Sequence, residues 1–241
     1  LDGSDLGQWE RATTKPCRFA IIETPSNPLL DAVDIRAVAD LVHNAGGELI
    51  VDNVFASPIL QRPIELGADW VVYSTTKHMD GQGRTLGGAI LGKTKKIEDE
   101  LQQYYRHTGP SMSPFNAWVV LKGLETMDLR VRAMSANARK IADRLAHNPK
   151  IKAVRYPGRP DHPHHNIHAG QMPEGGGSMV AFSLKGGREA AFRFLDHLRI
   201  AKLAVSLGGV ETLVTHPRTT TSSEMDEKEM DRSGISEGLV R

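Results

Sequence analysis

Cysteine is nearly absent from this sequence. Cys17 is the only one in 241 residues, so no intrachain disulfide can form, and a reducing compartment, the cytoplasm, is the expected setting. Net charge is nearly absent too. The 30 Lys and Arg offset 29 Asp and Glu to leave +1, which removes the usual electrostatic basis for binding nucleic acid or an anionic membrane. No apolar stretch approaches the roughly 20 residues that span a bilayer. The opening L-D-G-S-D-L-G-Q-W-E has no basic segment followed by an apolar one, so no signal peptide is visible. Internal repeats and long low-complexity tracts are missing as well. What remains is an ordinary globular composition, 39% hydrophobic and 24% charged. The length suits one large domain or two modest ones. The chain starts at Leu rather than Met and stops at Arg241 directly after an apolar pair, so it is expected to be part of a longer protein.

The first half alternates strand-like and helix-like segments. Arg18–Glu23 is a short apolar run ending at T-P-S-N-P, where two prolines forbid a helix. Asp34–Asn44 carries Ile35, Val38, Ala39, Leu41 and Val42 on one helical face, and Gly46-Gly47 stops it. Leu49–Val51, Trp70–Tyr73 and Gly87–Leu91 read as strands, with a connector turn at Ile64–Gly67. Continuous apolar strands alternating with helices imply an α/β fold, a mostly parallel sheet covered by helices on both faces. A long helical region is expected over Pro114–Ala146, with Gly123 as a bend. Then the pattern changes. Val154–Tyr156, Ser178–Leu184, Ala204–Ser206 and Thr212–Thr215 are strand candidates, Arg188–Leu198 is an amphipathic helix, and 157–177 reads as loop with a helical turn. Ser222–Ser233 reads as a mobile, polar surface segment. The expected division is a large domain over 1–120 and a smaller C-terminal α+β domain over 121–241, incomplete at its end.

Ligands gather at the carboxyl ends of strands in such sheets. Asn27, Asp52 and Lys77 all fall just past such ends. Lys77 lies in Y-S-T-T-K-H (73–78), behind an apolar run and three small hydroxyl residues. Most lysines are solvated, but a desolvated one has a lowered pKa and can attack carbonyls. Asp52 closes E-L-I-V-D-N (48–53); alone it reads equally well as a turn residue. Ser74 and Thr76 alone read as strand-end caps, and Asn27 as a turn former. Together these residues match what pyridoxal phosphate needs: a lysine for the Schiff base, an acid facing the pyridinium nitrogen, and donors for the phosphate.

These segments resemble the cysteine/methionine-metabolism family of pyridoxal-phosphate enzymes, of fold type I. The resemblance rests on E-T-P-S-N-P (23–28), V-D-N-V-F-A-S-P (51–58), Y-S-T-T-K-H (73–78), S-P-F-N-A-W-V-V-L-K-G-L-E-T-M (113–127), S-L-G-G-V-E-T-L-V-T-H-P (206–217) and G-I-S-E-G-L-V-R (234–241), in order across essentially the whole chain. Within the family, 78–92 is most similar to the sulfhydrylase branch. The resemblance implies that Lys77 holds the cofactor and then moves protons, and that Asp52 pairs with the ring nitrogen. It implies that Ser74 and Thr76 bind the phosphate and Asn27 the cofactor's 3-oxygen. Arg241 matches the arginine that binds the substrate α-carboxylate, and Ser206 the serine beside that lysine. The reaction implied is γ-replacement, taking O-succinyl-L-homoserine or its O-acetyl analogue and sulfide to L-homocysteine in methionine biosynthesis. Cystathionine γ-synthesis and methionine or cystathionine γ-elimination are the alternatives. The full-length form is expected to be a homodimer or homotetramer. A reading from another class is an inactive structural fragment.

The sequence departs from the family in three places. The N-terminal portion, with its Tyr/Arg pair for the neighbouring subunit's phosphate, a glycine turn and a stacking tyrosine, finds no counterpart here. The last stretch of the second domain is missing. Ser222 stands where relatives commonly carry His. D-H-P-H-H-N-I-H (161–168) is rich in histidine, but its prolines and lack of cysteine favour a polar loop over zinc, and no metal is expected. G-Q-G-R (81–84) and G-G-G (175–177) fit no phosphate-loop motif and read as turns. Arg84 has no assignable role, and Arg106–Gly109 reads as a structural turn.

Overall fold

The computed structural model describes residues 1–241. The short helix α1 (Leu6–Ala12) is capped by Asp5, whose side chain accepts from Gln8 N–H. Strand β1 (Phe19–Glu23) leads to helix α2 (Ile35–Asn44), then strand β2 (Glu48–Asp52). The Asp34 side chain starts α2 by accepting from Ala37 N–H at 3.0 Å. Past its end Gly46 takes φ +78, a left-handed conformation glycine adopts without strain. Helix α3 (Ser57–Leu60) and a 3-10 turn (Pro63–Leu66) lead to strand β3 (Trp70–Ser74). A π-type turn (Thr75–Met79) and strand β4 (Gly88–Gly92) follow.

The large sheet has the order β1-β2-β3-β4. The pairings β1–β2 and β2–β3 are parallel, and β3–β4 is antiparallel. One face of the sheet, through Ile22, Leu49, Val51, Val71 and Tyr73, packs on Ile35, Val38, Ala39 and Val42 of α2. Full burial of each such side chain stabilises by roughly 1.5–3 kcal/mol. The other face leaves Phe19, Ile21 and Ile90 exposed.

A helical run follows, α4 (Thr94–Lys96), a π turn (Ile97–Leu101) and α5 (Gln102–Thr108). The long helical region expected over 114–146 is two helices, α6 (Pro114–Leu124) and α7 (Met127–Ala146). The break falls at Thr126, with φ −112 and ψ 1, just past the close-packed Gly123. A Cβ at that glycine would run into the Met79 and Asp80 carbonyls, so α6 meets the Lys77 turn backbone to backbone before the chain turns.

Strand β5 (Ile151–Arg155) precedes helix α8 (His165–Gln171), strand β6 (Ala181–Leu184) and helix α9 (Gly187–Asp196). Strands β7 (Lys202–Leu203) and β8 (Leu213–Val214), helix α10 (Glu227–Arg232) and strand β9 (Leu239–Val240) complete the chain. The order β5-β6-β9 is antiparallel, whereas β7 and β8 pair in parallel.

Three expectations are corrected here. The strand placed at Ala204–Ser206 lies at Lys202–Leu203, because Ser206 has φ +88 and cannot continue a strand. The strand expected over Ser178–Leu184 begins only at Ala181. Ser222–Ser233 contains α10, started by a reciprocal Asp226/Glu229 capping box and anchored by buried Met230. No helix is long and apolar enough to cross a membrane.

Candidate active site

Parallel strands bring β1, β2 and β3 to the same edge with their carboxyl ends aligned. Glu23 and Asp52 are register partners there. Burial raises the pKa of Asp52, opposed by a hydrogen bond from Val54 N–H at 3.0 Å. Burial, with a smaller push from the Asp52 charge, lifts Glu23 to about 7. Just beyond Asp52, buried Asn53 donates to the Gln61 carbonyl (2.9 Å) and the Tyr73 hydroxyl oxygen (2.8 Å). Gln61 in turn donates to the Thr24 carbonyl (2.8 Å) and Asn53 Oδ1 (2.8 Å). This buried network ties the ends of β1, β2 and β3 together.

Lys77 sits in the turn after β3, with non-helical φ −93 and ψ −122. Its Nζ donates to Ser206 Oγ at 2.7 Å. Burial, then the charge of Arg241, lowers its pKa. Ser206 reaches the amine because Gly208, at φ +79, lets its loop lie on the Lys77–His78 backbone. A Cβ at Gly208 would stand 2.5 Å from His78 N and 2.8 Å from Lys77 C. Arg241 is buried next to the same loop. Its Nη1 donates to Asn27 Oδ1 at 2.7 Å, and Nη2 lies 3.5 Å from the Ser206 carbonyl. Its guanidinium stands over the Phe55 ring at 5.8 Å. Ser74 ends β3, and Thr76 Oγ1 accepts from Gly87 N–H at 3.1 Å.

Five of the seven site residues named from sequence are linked or aligned. Lys77, Ser206, Arg241 and Asn27 form one hydrogen-bonded series, and Asp52 ends the strand beside that of Lys77. Ser74 and Thr76 flank Lys77 without joining that series. Asn27 Oδ1 receives Arg241, which leaves its amide N–H free to donate elsewhere. Glu23, His78 and the Asn53–Gln61 pair were not marked from sequence. The visible signal for Glu23 was its place at the end of a strand next to that of Asp52. His78 is buried, with Nδ1 3.2 Å from the Val54 carbonyl and Nε2 2.9 Å from Ser178 Oγ. The carbonyl can only accept, so Nδ1 carries the proton.

Arg84 turns away to buried Asp80, with Nε 2.8 Å from Oδ1. The histidines of 161–168 are structural contacts. His168 Nε2 donates to the Leu30 carbonyl at 2.8 Å, His164 Nδ1 accepts from Ala32 N–H at 3.1 Å, and the His162 and His168 rings pack edge to face.

The residues present fit pyridoxal phosphate. Lys77 is a part-buried amine of lowered basicity. Asp52 is a desolvated carboxylate that a protonated ring nitrogen would complete. Thr76 keeps a hydroxyl proton whose nearest acceptor, the Gly87 carbonyl, stands at 3.5 Å. A mostly parallel sheet with these groups at its strand ends is the fold type I arrangement of pyridoxal-phosphate enzymes.

Comparison with known proteins takes this further. The family described as Cys/Met metabolism PLP-dependent enzyme matches residues 1–241. The chain is 48% identical over 245 residues to O-succinylhomoserine sulfhydrylase of Mycobacterium tuberculosis (strain ATCC 25618 / H37Rv), covering 100% of this chain and 60% of the relative. It is 43% identical over 238 residues to the O-succinylhomoserine sulfhydrylase of Pseudomonas aeruginosa, covering 99% and 59%. Among solved structures, cystathionine gamma synthase from Xanthomonas oryzae pv. oryzae, in complex with aminoacrylate and cysteine, superposes with a TM-score of 0.95 at 38% identity, covering 99% of this chain and 62% of that one. The chain belongs to the Cys/Met metabolism family of pyridoxal-phosphate-dependent enzymes. It spans about 60% of the length of the curated relatives it matches.

Proposed function

We propose that the protein containing this chain carries out γ-replacement on O-succinyl-L-homoserine, or its O-acetyl analogue, with sulfide as nucleophile. The products are L-homocysteine and succinate or acetate, a step of methionine biosynthesis. The observation that carries this reading is the series Lys77 Nζ, Ser206, Arg241. It puts an amine and a guanidinium on either side of one residue, the two groups that the amine and carboxylate of an α-amino acid would need. The sulfhydrylase relatives favour this substrate and nucleophile over the related synthase and lyase reactions.

Pyridoxal phosphate, when bound, supplies the electron sink that accepts charge from the substrate's Cα. Asp52 would keep the proton on its ring nitrogen, and Ser74 and Thr76 would donate to its phosphate. Asn27 orients Arg241 through Oδ1 and would offer its amide N–H to the 3-oxygen. Arg241 takes the substrate carboxylate in its planar fork. Lys77, held by Ser206, takes the Cα proton and returns protons to the neighbouring carbons. A lowered pKa suits that task, since a general base works best near the operating pH. Loss of a Cβ proton to Lys77 supplies the electron pair that breaks the Cγ–O bond, the carboxylate leaves, hydrosulfide adds at Cγ to form the C–S bond, and protons return to Cβ and Cα.

We also propose that the enzyme works in the cytoplasm as a homodimer or homotetramer, on small molecules rather than nucleic acid or membranes. We place the division between its domains near residue 121. Phe115, Trp118, Leu121 and Leu124 expose an apolar face on α6 that supports assembly. Borohydride reduction of the full-length protein with cofactor, followed by peptide mapping, should mark Lys77. A label on any other lysine would overturn the assignment.

A further inference from the structure

The Lys77 turn keeps two backbone hydrogen bonds of its own, from Asp80 N–H to the Thr75 carbonyl at 3.0 Å and from Gly81 N–H to the Lys77 carbonyl at 2.8 Å, although its central residue is not helical. A further tie comes from α7. Arg130 Nη1 donates to the His78 carbonyl at 2.9 Å. Its Nη2 donates to the Gly123 carbonyl at 2.7 Å, and its Nε to Thr126 Oγ1 at 3.0 Å. One guanidinium therefore ties the end of α6 to the residue that follows Lys77. The fit is close. Gly81, at φ +71, leaves no room for a Cβ, which would collide with this guanidinium. Burial lowers the pKa of Arg130, and the charge of nearby Asp80 opposes that by favouring the protonated form.

We propose that Arg130 is a positioning residue for Lys77: its fork fixes the His78 carbonyl and thereby the direction in which the Lys77 amine leaves the turn. This rests on the reading of Lys77 as the cofactor-linked lysine. Arg130 bonds only to protein carbonyls and a threonine, so it acts through the turn and not on the reacting atoms. The role needs the fork and not merely the charge. A lysine ammonium is a point charge on a flexible stem and cannot hold three acceptors in one plane. His78 supports the same turn from the other side, through Val54 and Ser178.

The test compares full-length wild type with Arg130→Lys and Arg130→Gln. Two quantities are read: the dissociation constant of pyridoxal phosphate, and the pH midpoint of the visible absorbance of the Lys77–cofactor linkage. Loss of a charge-assisted hydrogen bond should raise the dissociation constant about tenfold in both variants. The midpoint should move in both, and kcat should fall more than KM rises. A merely structural residue would lower thermal stability and leave the midpoint in place. Gly81→Ala, which displaces the guanidinium while keeping its charge, should move the midpoint in the same direction and serves if the Arg130 variants do not fold. A wild-type midpoint and dissociation constant in Arg130→Lys, or in Gly81→Ala if only that variant folds, would overturn the proposal. Absence of any Lys77 label in wild type would instead sink the functional reading beneath it.

Discussion

Asp52 closes a five-residue strand, and Lys77 stands three residues beyond another. Ser206 and Arg241 follow strands of only two residues each. The first pair is placed by local pattern, since buried parallel strands deliver their ends to one edge. The second pair is placed by distant partners. Arg241 exchanges both backbone hydrogen bonds with Thr215, at 2.9 and 3.0 Å, and its side chain reaches Asn27. The same site thus combines a rigid edge with a loop held by contacts far apart in sequence. The two parts should respond differently to perturbation.

The rigid edge should show the largest effect. Asp52→Asn in the full-length protein keeps the strand but cannot hold a proton on the ring nitrogen. Removing one partner of a buried ion pair costs about 3–5 kcal/mol, so turnover should fall by about two to four orders of magnitude. The circular dichroism spectrum should be unchanged. Near-normal turnover would mean that Asp52 is only a turn residue.

This contrast also decides how much could be read from the sequence. Strands β1 to β3, helix α2 and the Lys77 setting follow from runs of apolar residues closed by proline, glycine or acid. Those signals are local. The antiparallel direction of β4 was not visible, because G-G-A-I-L carries no mark of orientation. Nor was the place of Ser206, which depends on Gly208 touching the His78 backbone. Helix α10 was hidden in a polar stretch, although Asp226 and Glu229 have the spacing of a capping box. The helical run 94–108 buries no residue, so periodicity gave little to detect. Asn27 and Arg241 were named separately, but their mutual hydrogen bond is a tertiary fact.

Acid should strain both regions through buried histidines. Burial holds His78 to about 4, His162 to about 3 and His168 to about 4, below the ordinary 6.5. Unfolded histidines take up protons near 6.5, and the folded ones resist until those lower values. Stability is therefore intact above 6.5 and is lost as pH falls toward about 4. Glu23 works in the other direction. Its folded carboxyl titrates at about 7 against an ordinary 4.5, so acidification between those values relieves a cost. Asp52, also raised by burial, works in the same direction as Glu23, but the three histidines outweigh them. Each pH unit crossed between the folded and unfolded pKa of one group is worth ~1.4 kcal/mol, so the cofactor-free full-length protein should lose on the order of 3 kcal/mol between about pH 7 and pH 5. Urea unfolding at the two pH values measures this. A midpoint that is flat or rises on acidification would show that these histidines are solvated.

The smallest effect separates the two regions most cleanly, because two glycines with nearly the same φ can be compared. Gly46, after α2, has φ +78 and open space where a Cβ would stand; Gly208, in the Ser206 loop, has φ +79 and the Lys77–His78 backbone there instead. Alanine at either position should cost about 1–2 kcal/mol for the left-handed conformation. At Gly46 nothing more is expected, and catalysis should be unchanged. At Gly208 the neighbouring atoms belong to the backbone and cannot rotate away, so the loop must retreat. Ser206 Oγ then leaves Lys77 Nζ, and Arg241 loses the Ser206 carbonyl beside it. A misplacement of about 1 Å can cost as much as a hundredfold in rate. Gly208→Ala in the full-length protein should accordingly lower kcat/KM about tenfold or more, with a higher KM because the carboxylate site moves too. Equal activity in the two variants would show that the loop positions nothing, and that Ser206 meets Lys77 without directing it.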